Sequence, residues 1–549
     1  MEDLDPYIPE LEDFPPYENI DLSSYFREQI IYFFFHLTRK NDDLCIKKLG
    51  TSFRQVLQLL KKYLVINKDY YTEHLENIIK LITNTRDPIH GKGEHQLFYM
   101  LIYELYRVFP CKASYLIYRL DKFGGCWRDI KYLCQYIREH SPYGEKDGFI
   151  YICIELTNRK LAIDLDIWNS GTGSRNNISN IAKWIPREKP RFEWLFERLA
   201  IHWSNNYSYW KLDEVSIDSP KYVLALNKCK CIYRKILSGL NKYLDTTEIK
   251  QCSQRWNEID INNVSKYTII RQPRLFLSYY RNVDANSLEE LTKEIAKIKC
   301  SQKYIEREPG SDPFQRKSKD IIQLPVSYFV KEGFRLLKGS STNKYFKEES
   351  ELLNNKWIQF CRGQTGIVYD NILPVLDISY KMLENDAETF YVGIGLSILI
   401  AQKSLFGKRI LALENKPVWI NLDENAQFIS MIENFSEIIR SQNNTAFSFE
   451  KGVDLIANAI KESNYVCKNM KLVLFSNRFT SANMDKFYDY IENQFLILCI
   501  RLPKLIYWNL SKGGECDMPS EKIIANVSLV SGFSSSLITQ IKKKNETKI

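Results

Sequence analysis

The hydrophobic pattern of this chain changes near Gly363, and the change restricts the folds that it can adopt. Between Leu22 and about residue 300, apolar residues recur at i, i+3, i+4 and i+7, which is the period of amphipathic helices. Beyond Gly363, short β-rich runs alternate with helical segments. The first pattern predicts stacked, HEAT-like helical hairpins, and the second predicts a doubly wound, mainly parallel α/β sheet.

These patterns, together with the composition of the segments that join them, divide the chain into five consecutive parts. We predict an acidic irregular tail (1–20), a helical repeat domain (21–300), a loop with linking helices (301–362), an α/β domain (363–540) and a basic tail (541–549). In the α/β domain, strands are expected at 371–379, 410–422, 472–476, 504–509 and 527–530, and helices at 390–403, 426–440, 451–461 and 485–493. No internal repeat is clean enough to give a period, so the superhelical stacking is inferred from the run of helices alone.

Charge and cysteine content indicate the compartment and the class of partner. Lys plus Arg number 76 against 67 for Asp plus Glu, a net charge of +9 that permits a polyanionic partner without demanding one. The 13 cysteines form no regular framework, which indicates reduced thiols. The apolar runs at 30–35 and 390–401 are shorter than the roughly 20 residues that span a bilayer. We therefore expect a soluble, cytoplasmic protein with no membrane partner.

The carboxyl ends of the predicted strands are the first place to look for a ligand, because open α/β sheets bind there. The first strand ends in Asp377-Ile378-Ser379-Tyr380-Lys381. This segment resembles the metal-site loop of von Willebrand factor A domains, whose pattern is Asp-x-Ser-x-Ser. Asn443-Asn444-Thr445 precedes a helix at the place where that family keeps a metal-contacting Thr. The resemblance implies Asp377, Ser379 and Thr445 as metal ligands.

Two departures from the family pattern weaken this metal site. Lys381 stands where the family has its second Ser, and Asn477 replaces a second carboxylate. A single carboxylate beside an ammonium disfavours a divalent cation. We therefore expect no cofactor and a degenerate MIDAS-like site in which Asp377 pairs with Lys381 or caps the next helix. Binding of Mg²⁺ through Asp377, Ser379 and Thr445 is the alternative.

Dispersed motifs extend the resemblance to most of the chain. They are Thr85-Arg86-Asp87 with Gly91-Lys92-Gly93-Glu94, Gly125-Cys126-Trp127-Arg128-Asp129-Ile130, Ile181-Ala182-Lys183-Trp184-Ile185-Pro186, Cys231-Ile232-Tyr233-Arg234-Lys235-Ile236-Leu237, Tyr507-Trp508-Asn509-Leu510 and Ser531-Gly532-Phe533-Ser534. Their order resembles an uncharacterised family of plants, fungi and giant DNA viruses that joins a helical domain to a von Willebrand A-like domain. A viral source would imply the host cytoplasm. In domain order the chain is also similar to the Ro autoantigen (TROVE) class, whose helical rings bind small structured RNAs, and this implies structured RNA as a partner.

Two groups of cations could form an RNA surface. Lys228, Lys235 and Lys242 are seven apart on one predicted helix, with Lys230 and Arg234 beside them and an apolar stripe opposite. A second group lies near Trp184 and Trp194, aromatic residues that could stack on unpaired bases. The alternative is that the charged faces are merely solvated and that Trp184 belongs to the core. The second group comprises Arg175, Lys183, Arg187, Lys189 and Arg191, and the predicted RNA-binding residues are Arg175, Lys183, Arg187, Lys228, Lys235 and Lys242.

Signals for catalysis are weak. The chain has six histidines and the last is His202, so the α/β domain lacks the base of Ser-His-Asp or Cys-His catalysis. The Gly91-Lys92-Gly93 segment is not a Walker loop, and a turn between helices is favoured over a phosphate loop. We predict a non-enzymatic RNA-binding or ribonucleoprotein-scaffold protein, with RNA on the helical array and an α/β module that supports it or docks a protein. The alternative is a protein-interaction scaffold, viral or otherwise, that binds no RNA and uses a metal-independent contact around Asp377.

Overall fold

The structure is a computed structural model, and it describes residues 22–259 and 325–539 with internal gaps. The predicted acidic tail, the segment 260–324 and the basic tail lie outside the described residues. The gaps are 40–41, 89, 172–176, 217, 341–345, 365–370, 379–386, 414–415, 424–425, 441–447, 464–468, 478, 513–516, 521–523 and 525.

The chain divides into two compact units. One unit combines residues 1–97 with 321–549, and the other comprises residues 98–320. We call them the sheet unit and the helical unit. The first helices of the chain therefore belong with the sheet, and the division falls within the helix His95–Val108. The domain bounds from the sequence stay a prediction.

Helices account for the regular structure described before residue 364, apart from short 3₁₀ turns, which confirms the helical prediction. The short helix α8 is a partial exception, because the sequence pattern begins at Ile178 but only four residues are helical. Ile185 leaves the helix with an extended ψ of 129°, as the following Pro186 requires. The helices are α1 (Leu22–His36), α2 (Asp43–Ile66), α3 (Lys68–Arg86), α4 (His95–Val108), α5 (Pro110–Tyr118), α6 (Trp127–His140), α7 (Gly148–Asn169), α8 (Ile181–Trp184), α9 (Glu193–Tyr207), α10 (Tyr222–Leu244), α11 (Thr247–Cys252), α12 (Val326–Lys338) and α13 (Phe346–Gly363).

The described strands form one six-stranded sheet in the order β3-β2-β1-β4-β5-β6. Only the β2–β3 pair is antiparallel, so the predicted α/β architecture is confirmed. The strand material expected at 410–422 forms the two paired strands β2 and β3. The elements are β1 (Ile372–Asp377), α14 (Ala387–Ala401), β2 (Arg409–Leu413), β3 (Val418–Asn421), α15 (Phe428–Arg440), α16 (Phe449–Ser463), β4 (Lys471–Ser476), α17 (Ser481–Ile497), β5 (Lys504–Asn509) and β6 (Val527–Ser531).

Side chains on both faces of the sheet are buried, which explains why its strands are continuous apolar runs. Every residue of β1 and β4 is buried. Leu376 and Trp508 belong to the core on one face, with residues of α12 to α15. Leu474 and Tyr507 belong to the core on the other face, with residues of α16 and α17. Phe35 of α1 joins this second core, so α1 is an integral part of the sheet unit.

Strand order reverses between β1 and β4, and this places the switch point of the sheet. Strand β1 pairs with β2 on one side and β4 on the other, although β4 follows much later in the chain. At such a point the connections diverge to opposite faces and leave a crevice beyond the strand ends. Asp377 ends β1 and Ser476 ends β4, so both lie at this crevice.

Candidate functional site

Helix α10 of the helical unit carries the predicted row of lysines. Tyr233 and Leu237 are fully buried, and the Tyr233 hydroxyl donates to Asn158 Oδ1 of α7 at 2.7 Å. Because one stripe of α10 is fixed inward, Lys228, Lys235 and Lys242 are exposed on another face. Seven residues correspond to about 10 Å along a helix axis, so the three lysines leave the helix at regular intervals on one face.

The cations beside this row are neutralised. Lys230 Nζ lies 2.6 Å from Glu197 Oε2, and the Arg234 guanidinium lies 2.9 Å from Glu188 Oε2. Lys235 and Lys242 have no ion pair with any carboxylate in the described part of the chain. Lys228 Nζ sits 4.4 Å from the centre of the Trp210 ring, which leaves its charge unneutralised. The row is therefore a positive surface of its own.

The other predicted RNA-binding residues have different surroundings. Lys183 of α8 is ion-paired with Glu248, with 2.7 Å between Nζ and Oε1. Burial would raise the pKa of the Glu248 carboxyl, but the Lys183 ammonium holds that pKa below its ordinary value. Arg187 is exposed after Pro186, and Arg175 lies outside the described residues. Arg187 and the lysines of the α10 row are thus accessible, whereas Lys183 is held in an ion pair with Glu248.

A second cluster of cations lies around Tyr132 of α6 in the same unit. Arg128 Cζ, Lys131 Nζ and Arg191 Cζ are 5.2, 5.3 and 5.6 Å from the centre of the Tyr132 ring. Lys131 also lies 5.5 Å from the Trp184 ring and 5.7 Å from the Phe192 ring. We call this group the basic–aromatic patch; its members are Arg128, Lys131, Tyr132, Trp184, Arg191 and Phe192.

The charges of the basic–aromatic patch are not balanced by acids. Arg128, Lys131 and Arg191 make no ion pair with a carboxylate among the residues that the structure describes. Asp129, the acid nearest in sequence, is buried and accepts from the Tyr99 hydroxyl at 2.9 Å and from the Cys126 backbone. Burial and the charges of Arg128 and Arg191 together lower the pKa of the Lys131 ammonium.

At the switch point of the sheet unit, Asp377 and Ser476 are in contact, and Asn477 follows directly in the chain. The Ser476 hydroxyl donates to Asp377 Oδ2 at 3.0 Å, and both residues are fully buried. Asn477, next to Ser476, is 6% exposed, and its Oδ1 atom has no hydrogen-bond partner within the described residues. The predicted ligands Ser379 and Thr445, and Lys381 as well, lie outside the described residues.

Within the described residues, these side chains alone do not make up a metal site. Mg²⁺ binds through one or two carboxylates supported by other oxygens. The unpartnered Asn477 oxygen could serve as a ligand, but the one carboxylate, that of Asp377, is engaged by Ser476. Across residues 22–259 and 325–539, outside the gaps given above, no group of three or more His, Cys, Asp or Glu could hold a metal. We therefore derive no metal-dependent step.

The Gly91-Lys92-Gly93 segment is a turn between α3 and α4. The Lys92 N–H donates to the Asn84 carbonyl at 2.9 Å, and the Glu94 N–H donates to the Thr85 carbonyl at 2.8 Å. A side chain at Gly91 would meet the Asn84 oxygen at 1.9 Å, and Gly93 has a positive φ of 70°. These backbone donors are already used within the chain, and the segment is the turn between helices that the sequence favours.

The sheet matches a known family model, and most of the chain is similar to a giant-virus protein. A family model described as a domain of unknown function (DUF7788) matches residues 371–548, which include the six described strands. An uncharacterised protein of Acanthamoeba polyphaga mimivirus is 21% identical over 489 residues, covering 85% of this chain and 77% of the relative. The expected similarity to a giant-virus protein is confirmed, and it reaches well beyond the sheet.

Sequence reasoning identified Arg191 and Trp184 in the basic–aromatic patch but missed Arg128 and Lys131. These two lie at i and i+3 on α6, a spacing that puts them on the same helix face. Tyr132 completes the face, and this short pattern of two cations and an aromatic was the available signal.

None of the helices that the structure describes is long and apolar enough to cross a membrane.

Proposed function

We propose that this protein binds RNA through its helical unit and acts as a non-enzymatic ribonucleoprotein scaffold. One observation carries the proposal: Lys228, Lys235 and Lys242 form an exposed row while the neighbouring Lys230 and Arg234 are neutralised. If the α10 face were only a solvated surface, we would expect carboxylates to pair with its three lysines as well, as Glu197 pairs with Lys230 and Glu188 with Arg234. Unneutralised cations at a regular spacing favour a polyanion.

The role of the sheet unit in this proposal is to support the RNA-binding unit or to dock a protein. We propose that it is von Willebrand A-like and that its metal site is degenerate. The support is a mostly parallel sheet with one antiparallel edge strand and with Asp377 at the end of β1. The similarity of the helical unit to the Ro autoantigen class is part of the same proposal, supported by the succession of helices from α5 to α11 in its described residues.

A scaffold that binds only proteins is the competing proposal. It places the partner at the rim around Asp377. Asp377 and Ser476 are both fully buried and bonded to each other, so this carboxylate is not displayed to a partner. The exposed lysine row has no such obstacle, and RNA binding therefore comes first.

Salt dependence of RNA affinity tests the proposal directly. The full chain is purified, its absorbance ratio is measured for nucleic acid that remains bound, and its affinity for a structured RNA hairpin is titrated at several salt concentrations. If the three lysines each neutralise a phosphate, the slope of log affinity against log salt is about −2 or steeper. Absence of both retained nucleic acid and salt-dependent binding would overturn the proposal and direct attention to protein partners of the sheet unit.

A further inference from the structure

The basic–aromatic patch combines several cations with several aromatic rings, a combination that packing of the helices does not itself require. Three cations surround one ring, since Arg128, Lys131 and Arg191 all lie within 5.6 Å of the centre of Tyr132. The Tyr132 and Phe192 rings meet edge to face at 84°, with 5.6 Å between centroids. Neither ring is fully buried, so part of each remains exposed to solvent.

Like charges held this close repel each other, and no ion pair in the described part of the unit offsets the repulsion. Contact with the Tyr132, Trp184 and Phe192 rings favours each cation modestly, but such contacts bring no opposite charge to offset the repulsion. Arg138 of the same helix provides the contrast. It stacks on Trp194 at 5.1 Å and is also ion-paired with Glu145 at 2.9 Å. The patch lacks such an acid, and an anionic ligand would supply the missing charge.

We propose that the basic–aromatic patch binds unpaired nucleotides of single-stranded RNA. Arg128, Lys131 and Arg191 would contact the phosphates, and the partly exposed rings would stack on the bases. An acidic peptide would pair with the cations but would have no bases to stack on the rings. In a duplex the base faces are already stacked on one another and are not available to the rings. This inference rests on the proposed function and names the form of RNA that the helical unit takes.

The test compares ring loss with charge loss in the full chain. The probe is a fluorescent uridine oligomer of about 15 nucleotides, with an RNA hairpin stem as the duplex counterpart. Tyr132→Leu should weaken oligomer binding by about five- to 100-fold and leave the salt slope unchanged, because a stacking surface is lost without any charge. Arg191→Ala should weaken binding and reduce the salt slope by about 0.7, the loss of one phosphate contact.

Two matched variants separate binding from folding. Tyr132→Phe keeps the ring and should bind like the wild type. Arg138→Ala removes an arginine–aromatic contact from the same helix, but one already neutralised by Glu145, so its affinity should also be unchanged. Melting by circular dichroism is recorded for every variant. Loss of binding in Tyr132→Leu with a preserved melt, together with retention in Tyr132→Phe, would support the proposal.

Other outcomes overturn it in distinguishable ways. If the wild type binds RNA but Tyr132→Leu and Arg191→Ala bind the oligomer equally well, RNA binding stands and this patch is not the site. If Tyr132→Leu weakened binding of the stem as much as binding of the oligomer, the patch would not be recognising unpaired bases. If a poly-glutamate peptide competes as strongly as the oligomer, the patch is an acidic-peptide site. Failure of the wild type to bind either RNA would instead reject the proposed function itself.

Discussion

The Lys92 ammonium donates a hydrogen bond of 2.6 Å to the Ser531 hydroxyl, although 439 positions separate the two residues. Lys92 also donates to the carbonyls of Phe34 and Leu37 at the end of α1, and it is only 2% exposed. Ser531 ends β6. One buried charge therefore joins the carboxyl end of the sheet to α1, and the motifs around Gly91 and Gly532 meet in one place.

We expect Lys92→Met to destabilise the sheet unit. The substitution keeps the length of the side chain but removes the charged donor from the Leu37 carbonyl and the Ser531 hydroxyl, and it leaves the Phe34 carbonyl with the Ser531 hydroxyl as its donor. The predicted loss is about 2–4 kcal/mol in the free energy of unfolding, since buried groups deprived of a charged partner cost a few kcal/mol. Urea denaturation followed by tryptophan fluorescence measures it, because Trp508 is in the core of this unit.

Lys47→Met is the matched control for that variant. Lys47 is exposed on α2 of the same unit, so its loss should change the free energy of unfolding by no more than about 0.5 kcal/mol. An equal effect of the two substitutions would show that the Lys92 contacts contribute nothing specific.

Asp377 should stabilise the sheet unit without metal. In Asp377→Ala, the buried Ser476 hydroxyl loses its acceptor, and we expect a cost of about 1–3 kcal/mol. The melting temperature of the wild type should be the same with Mg²⁺ and with a chelator. A rise in the melting temperature of the wild type on adding Mg²⁺, absent from Asp377→Ala, would contradict this prediction and revive the metal site.

His202 should make the helical unit less stable in mild acid. Burial lowers the pKa of His202, and the charge of Glu155 opposes this only in part. The unfolded chain takes up a proton near the ordinary pKa of about 6.5, whereas the folded chain resists it, so stability falls as the pH drops through that value. His202→Gln should flatten the decline in melting temperature between about pH 7.5 and 5.5. An unchanged slope would mean that other groups cause it.

Much of the fold follows from local patterns in the sequence. Strand β5 was predicted at the observed bounds, Lys504–Asn509, because a buried parallel strand is a continuous apolar run between breaks. Helix α10 and its exposed lysines follow from the 3.6-residue period. The association of α1 with the sheet could not be predicted in this way, since it depends on contacts such as Lys92 to Ser531 that leave no periodic signal.

The candidate site was predictable only where one element carries it. The α10 row lies on a single helix, so its spacing alone revealed it. The basic–aromatic patch draws Tyr132 from α6, Trp184 from α8 and Phe192 from the segment before α9. These three residues come together only through the packing of the helices, and the spacing of residues in the sequence does not reveal how the helices pack.

Charge reversal on α10 is the sharpest test of the RNA surface. Changing Lys228, Lys235 and Lys242 together to Glu should abolish binding of the structured RNA while leaving the circular-dichroism melt unchanged, because all three side chains are exposed. The control reverses three exposed lysines elsewhere in the helical unit, which alters net charge equally and should retain most of the affinity; they are Lys112, Lys122 and Lys146. Equal losses in both triple variants would mean that overall charge, and not the α10 face, attracts the RNA. Full affinity in the α10 variant would show that the face is wrong.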